Sequence, residues 1–401
     1  MALKDVSIYL ENGILLRAKS FGDDSRLSEG FVTGEAVFNT ALSGYQEILS
    51  DPSYAGQFIV FCMPEIGIVG CNSKDMEAPK PLAKGIVVRN LSRTKSNFRA
   101  EENLMDFCKR HGLVGICNID TRGLTKVLRD EGALMMAATS MDCSKEDLKR
   151  ALESAPPFGK LDLVKEASTK APYAHKRSIF DFANMDYGNL DSMDSGLGAA
   201  PVPKKSKKIA ALDLGIKQGI LNELVAVGLE VEVFPCDTKA ATLLSKYKAG
   251  EIDGVFLSNG PGNPAVLDYL ILELKILIEA RVPLFGICLG HQLLSHAFGY
   301  PTYKLRFGQH GGNHPVKHLE SGRLEITAQN HNYNVPESIS EVAVITHRNL
   351  FDNTIEGVRY KHYPIISVQH HPEASPGPRE SREVFKAFAA LLDGGDSAKR
   401  G

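Results

Sequence analysis

A cysteine between two glycines is the first candidate for chemistry in this chain. Cys288 stands in the segment Gly286-Ile287-Cys288-Leu289-Gly290. This Gly-x-Cys-x-Gly spacing matches the thiol version of a nucleophile elbow, in which a strained strand-to-helix turn lifts the nucleophile above the sheet edge. The flanking glycines permit close packing around that turn because they lack a Cβ atom, and the dipole of the following helix favours a thiolate. We therefore interpret Cys288 as a nucleophile; the alternative is a buried structural cysteine.

A thiolate nucleophile needs a base and a group that orients the base. His371-Pro372-Glu373 follows an apolar strand near the end of the chain. Residues two apart in an extended segment point to the same side, so His371 and Glu373 can face each other while His370 points away. Glu373 could then hold one imidazole nitrogen of His371 and leave the other for Cys288. A histidine beside a proline is otherwise often structural.

An acyl transfer also needs donors for the developing oxyanion. The backbone N–H of Leu289 follows the nucleophile directly, and Gly262 in the loop Asn259-Gly260-Pro261-Gly262 could offer a second donor. The alternative for this loop is a plain turn. We prefer the functional interpretation because the loop and the elbow both follow predicted parallel strands, whose C-terminal ends are where ligands bind in such sheets.

Three histidines raise the possibility of a metal site. His310, His314 and His318 are spaced at helical intervals, but Gly311, Gly312 and Pro315 interrupt any helix through them, and there is no HExxH motif. We therefore predict no metal ligands in this chain.

The second half of the chain predicts an α/β fold. Residues 207–393 alternate strands and helices, which predicts a mostly parallel sheet covered by helices on both faces. Strands are predicted near 209–213, 230–234, 254–258 and 282–286, and helices over 217–228, 239–249 and 265–281. The elbow follows the last of these strands.

The first half predicts an α+β domain over residues 1–155. Asn12-Gly13 between two apolar segments predicts a hairpin over residues 3–18. Further strands are predicted near 34–40, 58–62, 85–89 and 113–118, with helices over 100–111 and 121–131. Its residues suggest no reaction of their own, so docking or scaffolding is the plain interpretation. Residues 156–206, rich in small residues, proline and lysine towards their end, are predicted to be a linker, and 394–401 a tail.

Composition limits the classes of function. The 401 residues carry a net charge of -2, which gives no basic patch for nucleic acid, and the seven cysteines form no CxxC pair that would suggest zinc. No apolar run is long enough to span a membrane, and the N-terminus lacks the layout of a signal peptide. We expect a cytoplasmic protein.

Both catalytic motifs resemble those of the class I, or triad, glutamine amidotransferases. Other segments are similar to the small subunits of carbamoyl phosphate synthetases, and together they cover nearly the whole chain outside the linker. These segments are 37–40, 44–54, 118–122, 307–316, 328–331 and 372–378.

The resemblance implies a glutaminase that works through a Cys288–His371–Glu373 triad and a thioester. It also implies a glutamine pocket that both domains form, made by Ser53, Gly260, Gly262, Leu289, Gln292, Asn330, Asn332 and Tyr333. The ammonia would pass to a large subunit that makes carbamoyl phosphate from bicarbonate and two ATP, for arginine and pyrimidine biosynthesis. No cofactor is expected in this chain, whereas ATP and magnesium are expected in the partner.

Two positions depart from the family pattern. Glycine is usual where Asn332 stands, and also where His370 stands. Since asparagine tolerates positive φ better than other non-glycine residues, we expect Asn332 to adopt a left-handed conformation and to contact substrate through its backbone. The alternatives to this function are an amidotransferase subunit of another synthase and a docking subunit with a weak glutaminase site.

Overall fold

The structure is a computed structural model that describes residues 3–181, 184–189 and 206–394. In this part of the chain, no helix is long and apolar enough to cross a membrane. All seven cysteines are unpaired.

The N-terminal part is a closed seven-stranded barrel surrounded by short helices. Its strands are β1 (Asp5–Leu10), β2 (Leu15–Gly22), β3 (Val32–Asn39), β4 (Gln57–Phe61), β5 (Glu65–Ile66), β6 (Gly85–Val87), β7 (Asn90–Leu91), β8 (Val114–Cys117) and β9 (Leu134–Thr139). Its helices are α1 (Ser25–Glu29), α2 (Tyr45–Ser50), α3 (Leu104–Arg110), α4 (Thr121–Glu131) and α5 (Lys145–Glu153). The barrel order is β1-β2-β8-β6-β4-β3-β9, and the small β5–β7 pair lies apart from it.

The predicted hairpin is confirmed as β1 and β2, and the predicted helix over 121–131 as α4. Asp120 caps α4 by accepting a hydrogen bond from the backbone N–H of Gly123 at 3.1 Å. Strand β9 and helix α5 were not among the predicted elements. Strand β9 closes the barrel because it pairs with β1 on one side and with β3 on the other.

Residues 156–181 and 184–189 contain regular structure where we predicted a linker. They form α6 (Val164–Ala167), β10 (Tyr173–His175), β11 (Arg177–Asp181) and β12 (Asp186–Asn189). The linker prediction was wrong for this segment because long-range pairing stabilises it: β10 joins the edge of the C-terminal sheet, and Arg177 lies over the Tyr187 ring at 4.2 Å. The remaining predicted linker residues, 190–205, and the predicted tail from residue 395 onward lie outside the described residues.

The C-terminal part is a ten-stranded sheet. Its remaining strands are β13 (Lys207–Asp213), β14 (Leu229–Pro235), β15 (Gly254–Leu257), β16 (Leu284–Ile287), β17 (Tyr303–His318), β18 (Leu324–Asn334), β19 (Ala343–Asn349), β20 (Ile355–Tyr360) and β21 (Ile365–Val368). Its helices are α7 (Gln218–Ala226), α8 (Ala240–Lys248), α9 (Asp268–Glu279), α10 (Leu289–Ala297) and α11 (Glu383–Gly394). The order is β10-β14-β13-β15-β16-β21-β20-β19-β17-β18.

The prediction of a parallel sheet with helices on both faces is confirmed. Strands β14, β13, β15, β16 and β21 are mutually parallel. One face packs against α8, α9 and α10, whose leucines include Leu243 and Leu274, and the opposite face packs against α7 and α11 through Ile220 and Phe385. Strands β17 to β20 extend the sheet with antiparallel pairs, which the alternation of strand and helix did not predict.

The turn between β16 and α10 depends on close approach at two glycines. A Cβ atom on Gly290 would lie 2.3 Å from the carbonyl oxygen of Leu257, and one on Gly286 would lie 2.7 Å from the carbonyl carbon of Gly290. Real Cβ atoms do not approach backbone atoms this closely. Helix α10 can therefore lie against β15 and β16 only with glycine at both positions.

We predict that Gly290→Ala lowers the free energy of unfolding by about 1–3 kcal/mol, the usual cost of overpacking. The added methyl must push α10 away from β15. Urea unfolding followed by circular dichroism measures the change. Gly30→Ala is the matched control, since the nearest atom to its new Cβ is 4.0 Å away. Equal stability of the two variants would contradict the packing argument.

Candidate active site

Cys288 occupies the strained position that the sequence predicts. It lies between β16 and α10 with φ 52° and ψ -104°, a positive φ that is unusual for a non-glycine residue. Its backbone N–H donates to the carbonyl of Val368 at 2.9 Å. The thiol is buried and donates to the carbonyl of Asn330 at 3.6 Å. Cys288 thus lies at the edge of the core and also lines a polar cavity.

His371 and Glu373 face each other as predicted. The Nδ1 atom of His371 lies 2.8 Å from Oε1 of Glu373, and both side chains are buried. The other ring nitrogen, Nε2, is buried and makes no hydrogen bond within the described residues. Burial opposes charge on this ring, but Glu373 and the Cys288 thiol outweigh it and raise the pKa of His371 to about 10. The arrangement favours an imidazolium beside the thiol.

A buried lysine completes this cluster. The Nζ atom of Lys217 donates to Oε1 of Glu373 at 2.8 Å and to the carbonyl of Ala374 at 2.7 Å. Burial raises the pKa of a carboxyl group, yet Lys217 and His371 together lower the pKa of Glu373 to about 2. Lys217 thereby keeps Glu373 ionised for its contact with His371. It also ties down Ala374, which has a positive φ of 60°.

Lys217 was not among the predicted site residues. It stands at the predicted start of the helix over 217–228, where a lone lysine usually points to solvent, and its partner is 156 residues away. The local sequence carries no signal for this ion pair.

One cavity brings together most of the predicted pocket residues. Cys288 lines it with seven of them: Ser53, Gly260, Gly262, Gln292, Asn330, Asn332 and Tyr333. The cavity is also lined by four residues that the sequence analysis did not propose: Gln57, Phe158, His310 and His331. Leu289 is the exception, because its side chain packs in the core and its backbone alone adjoins Cys288.

The N-terminal part supplies one wall of this cavity. Ser53 lies in a short 3-10 turn after α2, and its hydroxyl accepts a hydrogen bond from Nδ2 of Asn259 at 2.8 Å. Asp51 accepts from the backbone N–H of Ser53 at 2.9 Å and from Nδ2 of Asn330 at 2.8 Å. The two parts of the chain therefore meet through buried polar contacts at the cavity.

Comparisons with known proteins agree with this architecture. Residues 210–391 match the family described as glutamine amidotransferase class-I, and residues 8–138 match the family described as carbamoyl-phosphate synthase small chain, CPSase domain. The chain is 55% identical to the carbamoyl phosphate synthase small chain of Helicobacter hepaticus over 97% of this chain and 98% of that protein. The chain belongs to the carbamoyl-phosphate synthase small chain family. The protein of the same name from Campylobacter jejuni is 54% identical over 96% of this chain and 99% of that protein.

Asn332 corrects one prediction made from the pattern of this small chain family. It lies in β18 and is absent from the positive-φ residues of the described chain, so the expected left-handed conformation was wrong. Its side chain makes two polar contacts within the protein. Nδ2 donates to Glu35 at 2.9 Å, and Oδ1 lies 3.0 Å from Nε2 of His310.

His370, the other departure from the small chain pattern, points away from Cys288 as predicted. Its Nε2 lies 2.7 Å from the hydroxyl of Ser381, and its Nδ1 lies 3.5 Å from Glu356. Burial opposes ionisation of Glu356, but His370 and His331 help to lower its pKa to about 2.

The three histidines at helical spacing do not form a common site. His310 lines the cavity between two asparagines, whereas His318 contacts the ring of His347 at 4.6 Å. Among the described residues, no group of three or more histidine, cysteine, aspartate or glutamate side chains has a geometry that could hold a metal ion.

We predict that Lys217→Met makes the protein more sensitive to acid. The pKa of Glu373 is lowered in the fold to about 2 from an ordinary 4.5. Ionised Glu373 therefore stabilises the protein above its unfolded pKa, and this contribution is lost as the pH falls towards 2. Without Lys217 the folded pKa of Glu373 rises, so the loss begins at higher pH. Breaking such a buried pair also costs roughly 3–5 kcal/mol at neutral pH.

Acid unfolding followed by circular dichroism measures this effect. Lys386→Met is the matched control because Lys386 pairs with Glu383 on an exposed surface, where ion pairs contribute little. Identical acid midpoints for Lys217→Met and Lys386→Met would refute the assigned role of Lys217.

Proposed function

We propose that this chain hydrolyses glutamine to glutamate and ammonia through a Cys288 thioester. The observation that carries the proposal is a strained cysteine that lines a polar cavity and interacts electrostatically with a histidine hydrogen-bonded to a carboxylate. The class I amidotransferase family match supports the same chemistry.

The reaction begins with attack of the Cys288 thiolate on the side-chain amide carbon of glutamine. The C–N bond then breaks, and the ammonia leaves with a proton from the His371 imidazolium. Water next attacks the thioester, with His371 accepting a proton from it, and the C–S bond breaks to release glutamate and restore the thiolate. Glu373 holds Nδ1 of His371 throughout, so that Nε2 handles the proton.

Backbone donors stabilise the oxyanion in both steps. We assign this role to the N–H groups of Leu289 and Gly262. Leu289 directly follows the nucleophile at the start of α10, and Gly262, with φ 90°, lines the cavity beside Cys288. Donors at a helix start are preorganised and act where water is excluded.

We further propose that the ammonia passes to a large synthetase subunit that uses bicarbonate and two ATP. The names of the small chain relatives support this assignment. ATP and magnesium then belong to the partner, and the product serves arginine and pyrimidine synthesis. Seven unpaired cysteines suit a reducing cytoplasm.

We predict that Cys288→Ala abolishes glutamine-dependent synthesis by the complex but preserves ammonia-dependent synthesis. Ammonia enters after the step that Cys288 serves. Glutamate release should fall by at least about a thousandfold, as expected when a nucleophile is lost. Cys236→Ala is the control, since Cys236 is buried in a core outside the cavity and its loss should leave the rate unchanged. Retention of full glutaminase activity by Cys288→Ala would exclude the proposed mechanism.

An exposed apolar groove on the N-terminal barrel supports docking through that domain. Leu42 is 79% exposed and lines the groove together with the partly exposed Ile68 and Val69. Contiguous exposed apolar surface commonly marks a protein interface.

We therefore predict that Leu42→Asp weakens association with the large subunit without changing glutamine binding. Size-exclusion chromatography of the mixed subunits measures the association, and glutamate production reports the stimulation that the partner should give. Leu272→Asp is the control, because Leu272 is similarly exposed, at 62%, on α9 of the other domain. If only Leu272→Asp weakened association with the large subunit, the interface would lie outside the groove of the N-terminal barrel.

A further inference from the structure

A continuous chain of polar contacts joins five buried side chains across the wall of the cavity. It runs Glu35–Asn332–His310–Asn330–Asp51, and we call it the pocket bridge. Asn332 joins Glu35 to His310, and Asn330 joins His310 to Asp51, with successive donor–acceptor distances of 2.9, 3.0, 2.9 and 2.8 Å. All five side chains belong to residues less than one-tenth exposed. Both ends lie in the N-terminal domain, and the three middle residues lie in the C-terminal domain.

The two carboxylates at the ends of the pocket bridge determine how the two asparagine amides are oriented. An ionised carboxylate only accepts hydrogen bonds. The NH2 group of Asn332 must therefore face Glu35, and that of Asn330 must face Asp51. Both amide oxygens consequently point at His310, one at each ring nitrogen, and the ring can donate to both only when both of its nitrogens carry a proton. The two carboxylates thus set the rotamer and the amide orientation of two cavity-lining asparagines.

Glu35 is itself held by three donors. Its Oε2 accepts from Asn332 and from Nε2 of Gln57 at 2.9 Å, and its Oε1 accepts from Nζ of Lys304 at 2.7 Å. An amide in place of this carboxylate has only one acceptor oxygen and must turn an NH2 group towards one of these donors. Glu35→Gln should therefore disturb the bridge while preserving side-chain volume.

A glycine in the backbone next to the pocket bridge leaves space for the side chains of the bridge. Gly308 has φ 71°, and a Cβ atom there would lie 2.2 Å from Oδ1 of Asn332 and 2.5 Å from Nε2 of His310. The contact between Asn332 and His310 therefore requires glycine at this position.

We propose that Glu35 is a positioning residue of the glutamine pocket and acts on bound substrate through Asn332. The inference rests on the proposed function, because it takes glutamine as the ligand of this cavity. Glu35 does not line the cavity itself; Asn332, His310 and Asn330 do. The N-terminal domain would thus position a cavity-lining residue through Glu35, which does not line the cavity, in addition to supplying Ser53.

The test is glutamine binding by full-length protein carrying Cys288→Ala, which separates affinity from chemistry. Isothermal titration should show Kd raised roughly tenfold by Glu35→Gln, as for loss of one hydrogen bond to a charged group. Asn332→Ala should raise Kd similarly. The double variant should bind glutamine with a Kd about equal to that of the weaker-binding single variant, because both changes break the same bridge. With Cys288 intact, Glu35→Gln should raise KM and leave kcat within about twofold.

Controls separate positioning from general destabilisation. Glu65→Gln alters another glutamate–asparagine pair of the same domain, at an exposed site with Asn90, and should leave Kd unchanged. Thermal unfolding confirms that each variant is folded, and Asn332→Ala tests the bridge independently should Glu35→Gln fail to fold. Unchanged Kd in both folded single variants, or additive effects in the double variant, would overturn the proposal. Failure of the Cys288→Ala parent to bind glutamine would instead contradict the proposed function.

Discussion

The positive φ of Cys288 is the constraint on which the site depends. A cysteine adopts this conformation only when its surroundings hold it there. Here the surroundings are the close contacts of Gly286 and Gly290 and the bond from the Cys288 N–H to the carbonyl of Val368. Ile287 pairs with Val368 in the parallel register of β16 and β21. Because His371 follows Val368 by three residues, the same strand pair that strains Cys288 also positions His371.

Burial makes the charge of each group in the site depend on its neighbours. Glu373 shares a single oxygen, Oε1, between Lys217 and His371, so one carboxylate orients the base and is itself kept ionised by the lysine. An unpaired buried carboxylate would neutralise itself by taking up a proton. The imidazolium form of His371 is therefore favoured by a carboxylate that Lys217 keeps ionised.

The need of buried carboxylates for hydrogen-bond donors also explains why the two domains meet through polar groups. Glu35 and Asp51 are buried at the domain contact, and each is compensated by amides of the opposite domain. Such contacts are directional, since a hydrogen bond weakens steeply with misalignment. An apolar contact of equal area would allow small shifts of one domain over the other, whereas these directional bonds oppose such shifts.

The sequence by itself determined the parts of this protein whose signals are local. The glycines around Cys288, the two-residue spacing of His371 and Glu373, the Asn-Gly hairpin and the alternation of strand and helix each lie within a few residues, and the predicted strand-turn-helix and parallel sheet agree with the structure. Tertiary structure decided the rest. Closure of the barrel by β9, the pairing of β10 with β14, the burial of Lys217 against Glu373 and the extended backbone of Asn332 all depend on residues distant in the chain. A lone lysine or asparagine carries no sequence pattern for such a partner, because its environment is created only when strands far apart in sequence come together.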